Sequence, residues 1–115
     1  MEESNDNIKK TILVAEDVES NFLLLKALLG KTYNLLHAYN GSEAVEMFDN
    51  NQPDLILMDV KMPVMDGLEA TRIIRQKSTE IPIIALTAFA FDQDRIRVME
   101  AGCNDFLTKP LSPPL

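Results

Sequence analysis

Five short apolar runs, separated by stretches with helical periodicity, constrain the fold of this chain more than any other feature. The runs cover residues 11–15, 35–38, 55–58, 83–86 and 105–107. The first, third and fourth runs do not alternate polar with apolar residues, which is typical of strands that are covered on both faces. Strands that alternate with helices indicate right-handed crossovers and a doubly wound α/β sheet. A chain of 115 residues has room for one such domain.

Four helices are predicted between these runs. They cover residues 18–29, 42–50, 66–77 and 91–101. Gly30 and Gly102 follow the first and the last helix as stop signals. In the third helix, the periodicity predicts that Ala70 and Ile74 face the core and that Arg75 lies in solvent.

Composition excludes several classes of function. The 18 acidic and 11 basic side chains leave a net charge of −7, which argues against nucleic acid or an anionic membrane surface as the direct partner. The single cysteine, Cys103, excludes an internal disulfide and a cysteine-based zinc site, and we interpret it as a small buried thiol. The single histidine, His37, lies in a predicted strand and is interpreted as structural.

The segment has no apolar run near the ~20 residues of a membrane span. Residues 1–9 are polar, so we expect a flexible leader rather than a secretory signal, with residues 10–115 as the folded domain. These features favour a cytoplasmic location, although the parent chain could be membrane-bound.

Chemically useful side chains follow four of the five predicted strands. Glu16 and Asp17 follow the first strand, Asp59 the third, Thr87 the fourth and Lys109 the fifth. The carboxyl ends of parallel strands form the functional edge of such sheets, so we expect these side chains to meet. Two carboxylates ~4 Å apart repel by ~4 kcal/mol at an effective dielectric constant of 20, so the cluster needs balancing cations.

A hard divalent cation such as Mg²⁺ suits these oxygen ligands, and an aspartate held beside it is a competent nucleophile toward phosphorus. Lys109 and Thr87 are suited to hold phosphoryl oxygens. Taken singly, each of the five residues is more typical of an ordinary helix cap, a turn or a solvated surface than of a functional site. The hypothesis therefore depends on all five meeting at one edge.

Four segments resemble those of two-component response-regulator receiver domains. They cover residues 12–17 (ILVAED), 58–67 (MDVKMPVMDG), 85–88 (ALTA) and 101–110 (AGCNDFLTKP), and the resemblance extends from about residue 10 to 111. The motifs are most similar to receivers attached to hybrid sensor histidine kinases. The resemblance implies a flavodoxin-like five-stranded parallel sheet with strand order 2-1-3-4-5.

The resemblance also implies roles for the acidic residues. Asp59 would accept a phosphoryl group from a phosphohistidine on a histidine kinase or a histidine phosphotransfer domain. Mg²⁺ would be bound by Asp17, Asp59 and the backbone carbonyl of Lys61, with Glu16 acting through water. Glu16 stands where an aspartate is more common in the family, so the metal shell is expected to shift.

Further roles follow from the same resemblance. Thr87 and Lys109 would contact the phosphoryl group, and Phe106 would pack inward as Thr87 moves. Phe106 lacks the tyrosine hydroxyl often found at this position, so a switch would depend on packing alone. The peptide bond from Lys109 to Pro110 would be cis.

Two residues are expected to tune the lifetime of the phosphorylated state. Lys61 and Phe89 lie two positions after Asp59 and Thr87, so they would flank the path of an attacking water. An interpretation as ordinary solvated loop residues is equally good.

The family normally has a fifth helix after the last strand, but residues 111–115 contain two prolines and cannot form one. Part of one sheet face is therefore expected to be bare. We expect either reduced stability or a second copy of the chain that covers this face, unless the parent chain supplies the helix.

Two alternative functions remain open. One is a silent interaction module that keeps the receiver fold without its chemistry. The other is a Mg²⁺-dependent phosphatase with an aspartate nucleophile, although Lys61 stands where such enzymes usually carry a second, acid-donating aspartate. A nucleotide-binding enzyme is disfavoured because the glycines form no phosphate-binding pattern. In the receiver interpretation the domain is not an enzyme beyond its own phosphorylation and dephosphorylation.

Overall fold

A computed structural model describes residues 9–88 and 92–109. The strands are β1 (Thr11–Ala15), β2 (Asn34–Ala38), β3 (Leu55–Asp59), β4 (Ile83–Thr87) and β5 (Asp105–Thr108). The helices are α1 (Glu19–Leu29), α2 (Gly41–Asn51), α3 (Gly67–Lys77) and α4 (Asp92–Ala101). Phe89 and Pro110, which have predicted roles, lie outside the described residues, as do residues 1–8, 90–91 and 111–115.

All five strands are parallel, in the order β2-β1-β3-β4-β5. The predicted doubly wound α/β fold is thus confirmed, and every predicted strand is present within one residue of its expected bounds. In the register, Ala15 pairs with Met58, Asp59 with Leu86, and Thr87 with Thr108. The carboxyl ends of the four site-bearing strands therefore lie side by side.

The strands are apolar throughout because the sheet is covered on both faces. Leu13, Ile56 and Ile83 belong to the buried cluster that also contains side chains of α2, α3 and α4. Val14 and Leu57 belong to a second cluster on the opposite face, which includes residues of α1. Adjacent strand residues point to opposite faces, so both must be apolar.

Side-chain caps set where α2 and α3 begin. The Oδ1 atoms of Asn40 and Asp66 accept hydrogen bonds of 2.8 Å from the backbone N–H groups of Glu43 and Glu69. Such caps contribute ~1 kcal/mol each. After α4, Gly102 has φ of 116°, a left-handed backbone angle that favours glycine at the predicted stop.

The prediction that Arg75 lies in solvent was wrong. Its guanidinium donates hydrogen bonds of 2.8 Å to the carbonyl of Gly102 and of 2.8 Å to Oδ1 of Asn104. A third, of 3.2 Å, goes to the carbonyl of Ser78. The turn before β5 folds over this end of α3, so Arg75 ties the helix to the edge of the sheet.

An apolar groove of about 610 Å³ lies on the α1 face of the sheet. Its lining includes Ile12, Leu28, Leu57, Ile84 and Leu107. Leu28 and Leu107 are 40% and 46% exposed, respectively. A contiguous apolar surface of this kind favours binding of a partner.

No helix within the described ranges is long and apolar enough to span a bilayer.

Candidate functional site

The five residues predicted to form the site do come together at the carboxyl ends of the strands. A pocket of about 350 Å³ is lined by Asp17, Asp59, Thr87 and Lys109, among others. Glu16 does not line this pocket, but its Oε1 atom is 3.2 Å from the ammonium of Lys109, which does. Residues up to 93 positions apart in the chain thus share one site, because the parallel register aligns the strand ends.

The three carboxylates form a tight group. Glu16, Asp17 and Asp59 each place an oxygen so that the three oxygens lie within 4.8 Å of one another. Glu16 is fully buried and Asp59 is 3% exposed, whereas Asp17 is open to solvent. Among the described residues Oε1 of Glu16 accepts no hydrogen bond, and the positive charge nearest to it is the Lys109 ammonium at 3.2 Å, which Oδ2 of Asp59 also contacts at 2.9 Å. This donor set, all oxygen with one side open, fits a hard divalent cation that keeps part of its water shell.

Lys109 partly balances the acidic group. Its Nζ atom donates a hydrogen bond of 2.9 Å to Oδ2 of Asp59. Burial acts to lower the pKa of Lys109, but the hydrogen bond and charge of Asp59, together with Glu16, outweigh it and raise that pKa. The ammonium therefore stays charged at neutral pH and is available to a phosphoryl oxygen.

Burial is the main reason that the pKa of Asp59 is raised from its usual 3.8 to about 6. The charge of Glu16 also acts to raise this pKa, while the hydrogen bond and the charge of Lys109 act to lower it. A carboxyl group perturbed in this way, inside a cleft, is typical of functional sites. One ammonium is thus too little to offset the burial of Asp59 beside a second carboxylate.

Backbone groups hold the carboxylates in place. The N–H of Lys61 donates a hydrogen bond of 3.3 Å to Oδ1 of Asp59, and the N–H of Val18 donates one of 3.1 Å to Oε2 of Glu16. The N–H of Lys109 donates one of 2.7 Å to the carbonyl of Thr87, which joins the ends of β5 and β4. Thr87 is 6% exposed and lines the pocket.

Phe106 is half-buried and packs against the core cluster beneath α2, α3 and α4. The guanidinium carbon of Arg95 lies 5.1 Å from the centre of its ring, within the range of a cation–π contact. Phe89 and Pro110 lie outside the described residues, so the structure does not bear on their predicted roles.

Sequence reasoning missed several residues that line the pocket, including Asp94 and Arg97 of α4. They are three positions apart and therefore share one face of the helix. That spacing was visible in the sequence, but which face of α4 turns toward the strand ends depends on helix packing.

Comparison with known proteins identifies the family. Residues 12–115 match the family model described as the response regulator receiver domain. This chain is a receiver domain. It is 37% identical over 108 residues to the polar-differentiation response regulator DivK of Brucella anthropi. The aligned region covers 91% of this receiver domain and 88% of that protein.

Two solved structures show the same fold at similar identity. The receiver domain of sensor histidine kinase PA1611 from Pseudomonas aeruginosa has a TM-score of 0.83 and 39% identity, covering 91% of this chain and 88% of that one. That structure has a magnesium ion coordinated in its active-site cleft. The receiver domain of Ssk1 from Saccharomyces cerevisiae, in a co-crystal with the phosphotransfer protein Ypd1, has a TM-score of 0.85 and 33% identity. The match covers 90% of this chain and 81% of that one.

Proposed function

We propose that Asp59 is the phosphoacceptor of this receiver domain. The observation that carries the proposal is the Asp59 carboxylate itself. It lies almost fully buried at the end of β3, lines the pocket, and has an ammonium 2.9 Å away and two further carboxylates beside it. The donor is a phosphohistidine on a histidine kinase or a histidine phosphotransfer domain, as the complex of the Ssk1 receiver with Ypd1 suggests.

The reaction is a phosphoryl transfer from nitrogen to oxygen. An oxygen of Asp59 forms a bond to phosphorus while the phosphorus–nitrogen bond of the phosphohistidine breaks. The electron pair of that bond stays on the imidazole, which takes up a proton. Lys109 and Thr87 contact the oxygens of the transferred group. Water later attacks the phosphorus, releasing inorganic phosphate and restoring the carboxylate.

Mg²⁺ is the cofactor we propose. Asp17, Asp59 and the backbone carbonyl of Lys61 would hold it, with Glu16 reached through water. The clustered oxygens support this set, as do the two buried carboxylates that share the single Lys109 ammonium and the magnesium site of the PA1611 receiver. The cation would supply positive charge that offsets the carboxylates and the incoming phosphoryl oxygens.

Signalling is proposed to depend on Thr87 and Phe106. Movement of Thr87 toward the phosphoryl group would let Phe106 pack further inward and change the surface formed by α4 and β5. Lys61, whose side chain is exposed, and Phe89 would tune hydrolysis of the aspartyl phosphate.

We further propose that this receiver is cytoplasmic and comes from a hybrid sensor kinase. The 39% identity to the PA1611 receiver, which belongs to a sensor histidine kinase, supports that origin. The domain itself would carry out only its own phosphorylation and dephosphorylation.

Incubation with Mg²⁺ and acetyl phosphate tests the phosphoacceptor. We expect intact-mass spectrometry to show addition of one phosphoryl group, removable by hydroxylamine, because an acyl phosphate is cleaved by that nucleophile. The Asp59→Asn variant is expected to show no adduct, and Asp54→Asn, an exposed aspartate remote from the site, should behave as wild type.

Two results would contradict the proposal. Absence of any adduct on the wild type, with folding verified, would favour a silent interaction module. Steady turnover of a phosphate ester without a stable one-to-one adduct would favour the phosphatase alternative.

The apolar groove on the α1 face supports a proposed self-association. We expect the wild type to sediment with a concentration-dependent increase toward a dimer at micromolar concentrations. Leu107→Lys, which places a charge in the groove, should shift the protein to monomer. Leu23→Lys is the matched control, because Leu23 is 50% exposed but does not line the groove. A strictly monomeric wild type would contradict the proposal.

A further inference from the structure

His37 lies at the edge of the acidic site although its sequence context indicates an ordinary strand residue. It is part of β2, is half-buried, and its ring contacts two aromatic side chains. The ring of Phe22 lies 3.8 Å away, centre to centre, at an angle of 7°, and that of Tyr39 lies 4.0 Å away at 32°. The stack restricts the imidazole to one plane and so fixes the direction of its ring nitrogens.

One of those nitrogens contacts the acidic loop. Nε2 of His37 lies 2.8 Å from the backbone carbonyl oxygen of Glu16. A carbonyl can only accept, so Nε2 carries the proton and donates. The carbonyl of Glu16 belongs to the peptide group that leads directly into Asp17.

The same residue is also held from its other side. The N–H of Glu16 donates a hydrogen bond of 2.9 Å to the carbonyl of Ala38, which follows His37 in β2. The chain leaves the strand ladder at this point, because β1 ends at Ala15. The bond to Ala38 holds the Ala15–Glu16 peptide and the bond from His37 holds the Glu16–Asp17 peptide, so the exposed Asp17 carboxylate starts from a defined backbone position.

We propose that His37 is a positioning residue for the cation site, acting through the Glu16–Asp17 peptide. The inference rests on the proposed Mg²⁺ site and adds a residue outside the carboxylate cluster. The N–H at Nε2 of His37 holds the carbonyl of Glu16, and the contacts with Phe22 and Tyr39 orient that N–H toward it. Partners of this kind, which orient a ligand without touching the metal, commonly set metal affinity.

Two substitutions separate the donor from the stack. His37→Phe keeps a flat ring for stacking but removes the N–H, whereas the amide nitrogen of His37→Gln reaches the position of Nε2 and keeps a donor. Mg²⁺ dissociation constants are measured by amide NMR titration of the purified chain, and melting temperatures are measured without Mg²⁺.

We expect His37→Phe to weaken Mg²⁺ binding about five- to tenfold, the factor associated with losing one net hydrogen bond. His37→Gln should stay within about twofold of wild type even though its melting temperature falls, because the stack is lost. An unchanged Mg²⁺ affinity in His37→Phe would overturn the inference and leave the proposed Mg²⁺ site standing. The same conclusion would follow if both variants lost Mg²⁺ affinity in proportion to the fall in their melting temperatures. If the wild type itself binds no Mg²⁺, the proposed cofactor and this inference fail together.

Discussion

The Asp59→Asn variant is expected to be more stable than the wild type by about 3 kcal/mol at pH 7 in the absence of divalent cations. In the folded protein burial, followed by the charge of Glu16, raises the pKa of Asp59 to about 6 from its usual 3.8. The pKa rises by roughly two units, and each unit corresponds to about 1.4 kcal/mol. The ionised Asp59 carboxylate therefore destabilises the fold by about 3 kcal/mol at neutral pH. An asparagine has the same shape and no charge to bury, and its amide oxygen still accepts from Lys109.

The pH dependence has a definite sign. Because the pKa of Asp59 is higher in the folded state, the native protein binds this proton more tightly than the unfolded chain. The stability contribution of that proton is fully present below about pH 4 and is lost as the pH rises through about 6. Asp59→Asn should lack this component.

Urea unfolding at several pH values, with chelator present, measures the effect. The matched control is Asp66→Asn, because Asp66 also lines the pocket but is exposed. Asp66 caps the start of α3, so any loss of stability in Asp66→Asn should have the same sign at pH 4 and at pH 7. Equal stability of wild type and Asp59→Asn at pH 7 would show that Lys109 alone neutralises the cluster.

Gly67→Ala is expected to destabilise the domain by about 3 kcal/mol. Gly67 opens α3 directly beside the end of β3, and its N–H donates a hydrogen bond of 2.9 Å to the carbonyl of Val60. A Cβ at this position would overlap the backbone carbonyl oxygen of Asp59 and lie 2.8 Å from Cγ of Met58. Neither the strand backbone nor the fully packed Met58 can move without disturbing the core, so the helix must shift.

Chemical denaturation of Gly67→Ala and of Gln76→Ala, an exposed position on the same helix, provides the comparison. The control should lie within about 0.5 kcal/mol of wild type, as surface substitutions usually do. The adduct yield with acetyl phosphate should also fall in Gly67→Ala, because the displaced helix pushes on the residue that we propose as acceptor. A wild-type unfolding midpoint for Gly67→Ala would mean that α3 can move away from β3 at little cost.

Much of the architecture is predictable because it depends on local patterns. Apolar runs without polar alternation predict strands whose sheet is covered on both faces. The helical periodicity of the stretches between them predicts most helix ends to within one residue. Parallel strands align their carboxyl ends, so the residues that follow them share an edge whatever their distance in sequence. For that reason Asp17, Asp59 and Lys109 could be assigned to one site before any coordinates.

Other features arise only when distant segments pack together. Arg75 has the same helical environment as a solvated arginine, and only the turn before β5 gives its guanidinium three acceptors. Likewise, nothing near His37 in the sequence indicates that its ring donates to Glu16, 21 residues earlier. Such contacts require the relative position of two elements to a fraction of an ångström, which periodicity does not specify.

The amino-acid sequence by itself determined the order of strands and helices, the edge at which the acidic residues gather, and the chemical class of that cluster. Only the tertiary structure decided which carboxylates lose water, and hence that Glu16 is fully buried and the pKa of Asp59 is raised while Asp17 stays open. The reason is physical: residue type sets the available charge, but the cost of that charge depends on solvent exclusion and on how closely the folded chain brings like and unlike charges together.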